Sequence, residues 1–220
     1  MTTFPGSPRL VKGGIVLVDP ETAAIDRVIA LQYNPDTVSR TLQVQGFTGG
    51  TGGEADRSEA LRLKGPPVET IKVDAELDAT DQMEVADPTT AKVGLHPQLA
   101  ALETIVYPTS AQLLANNALA QGGTLEIAPM QSPLALFVWS KNRIIPVRIT
   151  ELSVTEEAFD PSLNPIRAKV SLGLRVLSVD DLGFGHKGGS LYLIYQQQKE
   201  ALAARHRGGA LGALGIGGIG

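Results

Sequence analysis

The sequence predicts a mainly β (α+β) fold, a two-sheet sandwich or partly closed barrel with a helical insert and a C-terminal helix. Three observations predict it. Short apolar runs bounded by Asn-Pro, Asp-Pro and Gly-rich turns recur along the chain. Two long segments between residues 144 and 176 alternate apolar and polar residues with the period of a strand. Helical spacing of apolar residues is confined to the middle and the end.

Residues 1–12 read as a flexible, Pro-containing arm, and 13–182 as one β domain. Its first strand is Gly14-Ile15-Val16-Leu17-Val18, stopped by Asp19-Pro20. A second runs from Arg27 to Tyr33 and stops at Asn34-Pro35, and a third from Ser39 to Phe47. Residues 48–64, opening Thr48-Gly49-Gly50-Thr51-Gly52-Gly53, are too polar and Gly-rich to bury much, and predict a mobile loop. From Val68, Ile71, Val73, Ala75 and Leu77 alternate with Lys72, Asp74, Glu76 and Asp78, which gives a strand with one wet face.

The pattern changes at 95–121. Leu99, Leu102 and Ile105 or Val106 recur at helical spacing before Pro108, and Ser110 to Gln121 reads as a second helix closed by Gly122-Gly123. The chain then returns to β. Leu134 to Trp139 is a continuous apolar run, suited to a strand buried on both faces, with Phe137 and Trp139 in the core. Ser140 to Arg143 supplies a hairpin turn. Ile144 to Phe159 is long for one strand, and its alternation slips between Ile149 and Leu152, which predicts a bulge. After the Asp160–Pro165 connection, Ala168, Val170, Leu172, Leu174 and Val176 alternate cleanly. Residues 183–220 form a helix, roughly Ser190 to His206 with Ser190 as its N-cap, and a Gly-rich tail carrying Leu211, Leu214, Ile216 and Ile219.

Composition narrows the function. A hydrophobic fraction of 43% and a charged fraction of 19% are those of a folded globular chain. The net charge of −4, from 23 acidic and 19 basic residues, gives no electrostatic case for nucleic-acid or anionic-membrane binding. There is no cysteine, so disulfides, thiolate metal sites and cysteine nucleophiles are excluded. No apolar run approaches the ~20 residues that span a bilayer, and the N-terminal residues do not read as a secretory leader. Assembly in the cytoplasm, with possible later presence in a released or virion-like particle, is the expectation.

No catalytic, cofactor or metal site is visible. His96, His186 and His206 lie far apart with no ligand spacing. No serine stands in a nucleophile elbow and there is no phosphate loop. Gly215-x-Gly217-x-x-Gly220 matches a dinucleotide fingerprint in letters, but no strand feeds it and no helix follows it. Asp74, Glu76 and Asp78 share a strand face, and Glu156-Glu157 and Asp180-Asp181 are adjacent. The regular alternation with apolar residues reads as the solvated side of a half-buried sheet.

Gln32-Tyr33-Asn34-Pro35 after an apolar strand resembles the opening motif of the tube-domain family of contractile injection systems, the phage-tail-like baseplate and tube-initiator proteins. Gly65-Pro66-Pro67 follows, leading into a strand that ends Leu77-Asp78-Ala79-Thr80. Then come Leu136 to Trp139, Val147 to Thr155, Phe159-Asp160-Pro161, and Pro165 to Leu172 with Arg167 and Lys169, in the family's order. The resemblance covers roughly residues 28–178. It implies a fold of the tail-tube type and a non-catalytic structural subunit forming a six-fold ring. The implied partners are copies of itself, the inner-tube protein, the spike and the baseplate. Longer members carry a C-terminal peptidoglycan-binding-type (LysM) module, where this chain has a helix and a Gly-rich tail. Two other readings stand beside it: a small-molecule-binding β-barrel carrier, which needs an apolar lumen, and a hydrolase using Asp74, Glu76 or Glu156, which needs two carboxyls in one cleft.

Overall fold

A computed structural model describes residues 11–46, 61–84, 87–123, 132–206, 208–209 and 211–219. Within them, seven strands form one antiparallel sheet. They are β1 (Gly14–Val18), β2 (Ile25–Ala30), β3 (Val38–Gln43), β4 (Val68–Asp78), β5 (Leu134–Val138), β6 (Ile144–Phe159) and β7 (Pro165–Val176). Their order across the sheet is β2-β1-β5-β6-β7-β4-β3, so β2 and β3 are its two edges. The helices are α1 (Thr80–Glu84), α2 (Thr90–Val93), α3 (His96–Glu103), α4 (Ser110–Gln121), α5 (Val179–Leu182) and α6 (Lys187–Ala203).

The expected two-sheet sandwich is therefore corrected to a single sheet, which curls without closing into a barrel. Strand number and alternation are local properties, and they do not say whether the strands divide into two layers. Here helices take the place of a second sheet. One face of the sheet carries Ile15, Leu17, Ile71, Val73, Phe137, Ile145, Val147, Val170, Leu172 and Leu174, and the same core contains Leu99 and Leu102 of α3 and Tyr192 and Tyr195 of α6.

β5 is covered on both sides, as its unbroken apolar run predicts. Ala135 and Phe137 enter the main core, while Leu134 and Leu136 join Val18 in a second cluster against Leu182 and Leu191. Trp139, half-buried, stacks on Phe137 with ring centroids 5.7 Å apart. Gly13 lies under that indole, where a Cβ would sit 2.4 Å from the ring. The bulge in β6 falls where the alternation slips. Ile149 pairs with Leu174 and Glu151 with Gly173, leaving Thr150 as the extra residue. The insertion shifts the parity so that Ile149 before it and Leu152 and Val154 after it all pack against the core.

The tight connections follow their sequence signals. Trp139 N–H donates to Arg143 O across the β5–β6 hairpin. Asp160 Oδ1 accepts from the amides of Ser162 (2.7 Å) and Asn164 (2.8 Å), which closes the β6–β7 turn. The Asn164 side chain, whose Nδ2 donates to Asp160 Oδ2 at 2.8 Å, leads these bonds in holding the Asp160 carboxyl below the usual carboxylate range.

The helices at 95–121 fall as expected. α4 begins in a reciprocal cap in which Thr109 Oγ1 accepts from Gln112 N–H and Gln112 Oε1 accepts from Thr109 N–H. α1 and α2 have too few residues to show a period and leave no pattern in the sequence. The C-terminal helix starts three residues before the expected Ser190. His186 is its N-cap, with Nδ1 accepting from Gly188 N–H at 3.0 Å. Gly188 and Gly189 read as helix breakers, but close packing requires them. A Cβ on Gly189 would meet the Gly183 carbonyl oxygen at 2.0 Å.

The arm expected at 1–12 lies outside the described residues up to position 10, as does the expected loop from 48 to 60. Residues 61–64 are part of the sheet's margin instead of that loop, with Gly46 bridging to Leu63 and Lys64 N–H donating to Gln45 O. In the tail, Leu211–Leu214 form one exposed 3-10 turn.

Candidate functional site

The residues singled out by the family resemblance separate into three places. The largest group gathers around Asp78, at the end of β4. The Gln32 amide bonds to both main-chain groups of Asp78: Nε2 donates to its carbonyl, and Oε1 accepts from its N–H at 2.8 Å. Because Gln32 follows edge strand β2 and Asp78 ends β4, the sheet curls until these remote parts meet. Tyr33 lies beside them in a shallow depression shared with Glu76, Glu157, Arg167 and Lys169. Asn34 turns the other way, accepting from Gly13 N–H (2.9 Å) and donating to Val11 O (2.8 Å). Pro35, half-buried, ends the turn.

Gln32 thus replaces a strand pairing where the sheet leaves a gap. Gln32→Ala is expected to cost about 1–3 kcal/mol by stranding the Asp78 main-chain groups. Urea unfolding against Tyr33→Ala, at an exposed position, measures it.

Arg167 and Lys169 project on the wet face of β7. Arg167 Nη2 stands 3.1 Å from Asp78 Oδ2, and Lys169 Nζ 2.9 Å from Glu157 Oε1. The Thr80 hydroxyl and amide, ahead of Arg167, hold the Asp78 carboxyl below its usual range. Glu157 raises the Lys169 ammonium. Cations on β7 therefore stand between carboxylates on β4 and β6, an exposed ladder of weak pairs. Asp74 accepts from Ser171 Oγ at 2.6 Å on the same face.

Phe159, Asp160 and Pro161 sit at the tip of the β6–β7 hairpin, with Phe159 half-exposed. That tip is tied to the helices: Leu95 N–H donates to Pro165 O, and Asn164 Nδ2 donates to Lys92 O. Gly94, at φ +56°, lets the chain pass, since a Cβ would approach Pro165 O to 2.4 Å. Gly65 and Pro66 are elsewhere, at the entry to β4, where a Cβ on Gly65 would meet Asp180 Oδ2 at 2.7 Å.

One cluster carries no sequence signal. Glu69 on β4 is 2% exposed. Its Oε1 accepts from Arg40 Nη2 (2.6 Å), Arg40 Nε (2.8 Å) and Tyr195 Oη (3.3 Å), and Oε2 faces Lys199 Nζ at 3.2 Å. Lys199 also lies 4.0 Å above the Tyr195 ring. This network joins edge strand β3 to α6. Glu69 sits at the core-facing parity of β4, where only its partners, remote in sequence, permit a charge.

Burial, reinforced by Glu69, pushes the Tyr195 hydroxyl up to about 12 from an ordinary 10.0. The folded state thus keeps a proton that the unfolded chain releases first. Stability is expected to hold up to about pH 10 and to fall as pH rises toward 12. Thermal unfolding of the Tyr195→Phe variant should show a shallower alkaline fall.

Two separate stretches of the chain present apolar side chains to water. At the β3 margin, Leu42, Leu63 and Val44 are exposed, Val44 by 67%. On the side of β2, α4 has no buried residue and no charged one, and Leu114 on it is 69% exposed. Among the described residues no three acidic or histidine side chains come together as a metal-binding group. Nor is any helix long and apolar enough to cross a membrane. No protein-family model matches the chain, and no curated protein matches it.

Proposed function

We propose that the chain is a structural subunit of a phage-tail-like contractile injection system, forming a ring that joins the inner tube to the spike and baseplate. The observation that carries this reading is the pair of unlike apolar surfaces, at the β3 edge and on α4. One is a strand edge with Leu42 and Val44, and the other is the uncharged helix α4 with Leu113 and Leu114. A strand edge meeting a helix is a heterologous contact, and such contacts generate rings when the rotation closes. The ordered resemblance between residues 28 and 178 supplies the machine. Its partners in this reading are copies of the chain, the tube protein, the spike and other baseplate proteins.

A carrier has less support. Ile71, Val73, Ile145, Val147, Val170 and Leu174 fill the inner face of the sheet at 1% exposure or less, where a ligand lumen would lie.

The test is affinity purification of the tagged chain from its native host, with negative-stain imaging and identification of what co-purifies. Rings or syringe-shaped particles with sheath, tube and spike proteins are the expected result. Val44→Lys and Leu114→Lys should each abolish them while leaving the circular dichroism spectrum unchanged. A monomer without such partners, or one holding a metabolite, overturns the proposal.

A further inference from the structure

Between β2 and α3 the curled sheet leaves an open groove of about 470 Å³. Its floor is apolar, with Ile29, Leu31, Leu77 and Leu102, and Ala101 stands on the helical wall. The main chain of Val28 to Gln32 runs along the opposite wall, and β2 has no further strand beside it among the described residues. Free main-chain groups and a row of side-chain pockets thus lie next to each other, the arrangement that accepts an extended peptide.

Charge specifies the occupant. Gln98 on the helical wall is turned inward, its Nε2 donating to Gln82 Oε1 at 3.1 Å and its Oε1 buried without a donor among the described residues. The groove includes Lys12 and Arg27 and no carboxylate. Arg27 reaches only neutral acceptors, Thr104 Oγ1 at 2.8 Å and Ala101 O. A second copy's β3 does not match this charge, because its one charged residue is the cation Arg40.

We propose that this groove and the free edge of β2 receive an extended segment of another protein in which apolar and acidic residues alternate. The segment adds as a strand beside β2 and sets an apolar side chain between Ile29, Leu77 and Leu102. It holds carboxylates near Lys12 and Arg27. The ring contact proposed above uses β3 and α4, so the two interfaces fail or stand separately.

The probe is a short fluorescein-labelled peptide alternating valine and glutamate, titrated with the full chain by fluorescence anisotropy. Saturable binding that weakens with salt is expected, at least about tenfold tighter than for the valine–lysine counterpart. Ala101→Trp, which fills the groove from a half-buried helical position, should abolish it, and Lys12→Glu, at an exposed position, should remove the charge preference. Equal binding of both peptides, or binding indifferent to Ala101→Trp, overturns the proposal. So does binding that emerges only after residues 1–10 are deleted, which would make the chain's own N-terminus the occupant. Self-association of the chain that Ala101→Trp removes would assign the groove to a second copy and overturn it as well.

Discussion

Glu69→Ala is expected to lower the free energy of unfolding by about 1.5–3 kcal/mol, because half-buried Arg40 and Lys199 lose the carboxylate that accepts their hydrogen bonds and face each other as like charges. The carboxylate lies between Arg40, whose side chain is 26% exposed, and Lys199, at 31%. Each cation alone keeps partial access to water, so Lys199→Met should cost far less. The loss has a location. Arg40 belongs to β3, Glu69 to β4, and Lys199 with Tyr195 to α6, so hydrogen exchange should accelerate in α6 and β3 before it changes in β5. Replacing Arg40, Glu69 and Lys199 together by apolar residues should recover much of the stability, since the cost of burying the charges disappears with them. An alanine variant within 1 kcal/mol of wild type in urea unfolding would show that water, not the protein, solvates this cluster.

Phe137→Ala should cost about 3–5 kcal/mol. The ring is 1% exposed at the centre of the sheet and stacks on Trp139, so its removal leaves a cavity and an unsupported indole. Leu136→Ala, one residue earlier on the opposite face, opens only the smaller cluster with Val18 and Leu134 and should cost less. Tryptophan fluorescence serves as the probe: Phe137→Ala should shift its emission to the red, and Leu136→Ala should not. Equal losses at the two positions would mean that the two faces of β5 are equally packed, contrary to the cluster sizes.

Sequence made some elements of this structure readable and hid others, for reasons that differ residue by residue. β4, β6 and β7 are evident because each has enough residues for the period of two to show, and β5 because its apolar run is unbroken. The bulge at Thr150 is evident because it breaks that period. The start of α6 is hidden because Gly188 and Gly189 have low helix propensity, and only the distant Gly183 carbonyl explains why they are glycines. The single open sheet is hidden because nothing local distinguishes a strand packed on helices from one packed on a second sheet. Of the positions marked by family resemblance, Gln32, Tyr33, Arg167 and Lys169 meet around Asp78, whereas Gly65 and Pro66 lie apart. Glu69 and Gln98 gave no signal, since what makes each notable is the presence or absence of a partner in space.

The ladder between β1 and β5 bears on how the chain is made. It joins Gly14 to Val138, and Val138 is synthesised 138 − 30 = 108 residues after Ala30 completes the β1–β2 hairpin. At ordinary translation rates of about 5–20 residues per second, that hairpin waits roughly 5–22 s with the apolar side chains of Ile15 and Leu17 without their β5 partners. Contacts so distant along the chain also slow refolding from denaturant. Yield from such refolding should therefore fall steeply with protein concentration, and chaperones that shield nascent apolar strands should matter most while the segment between β2 and β5 is still being translated.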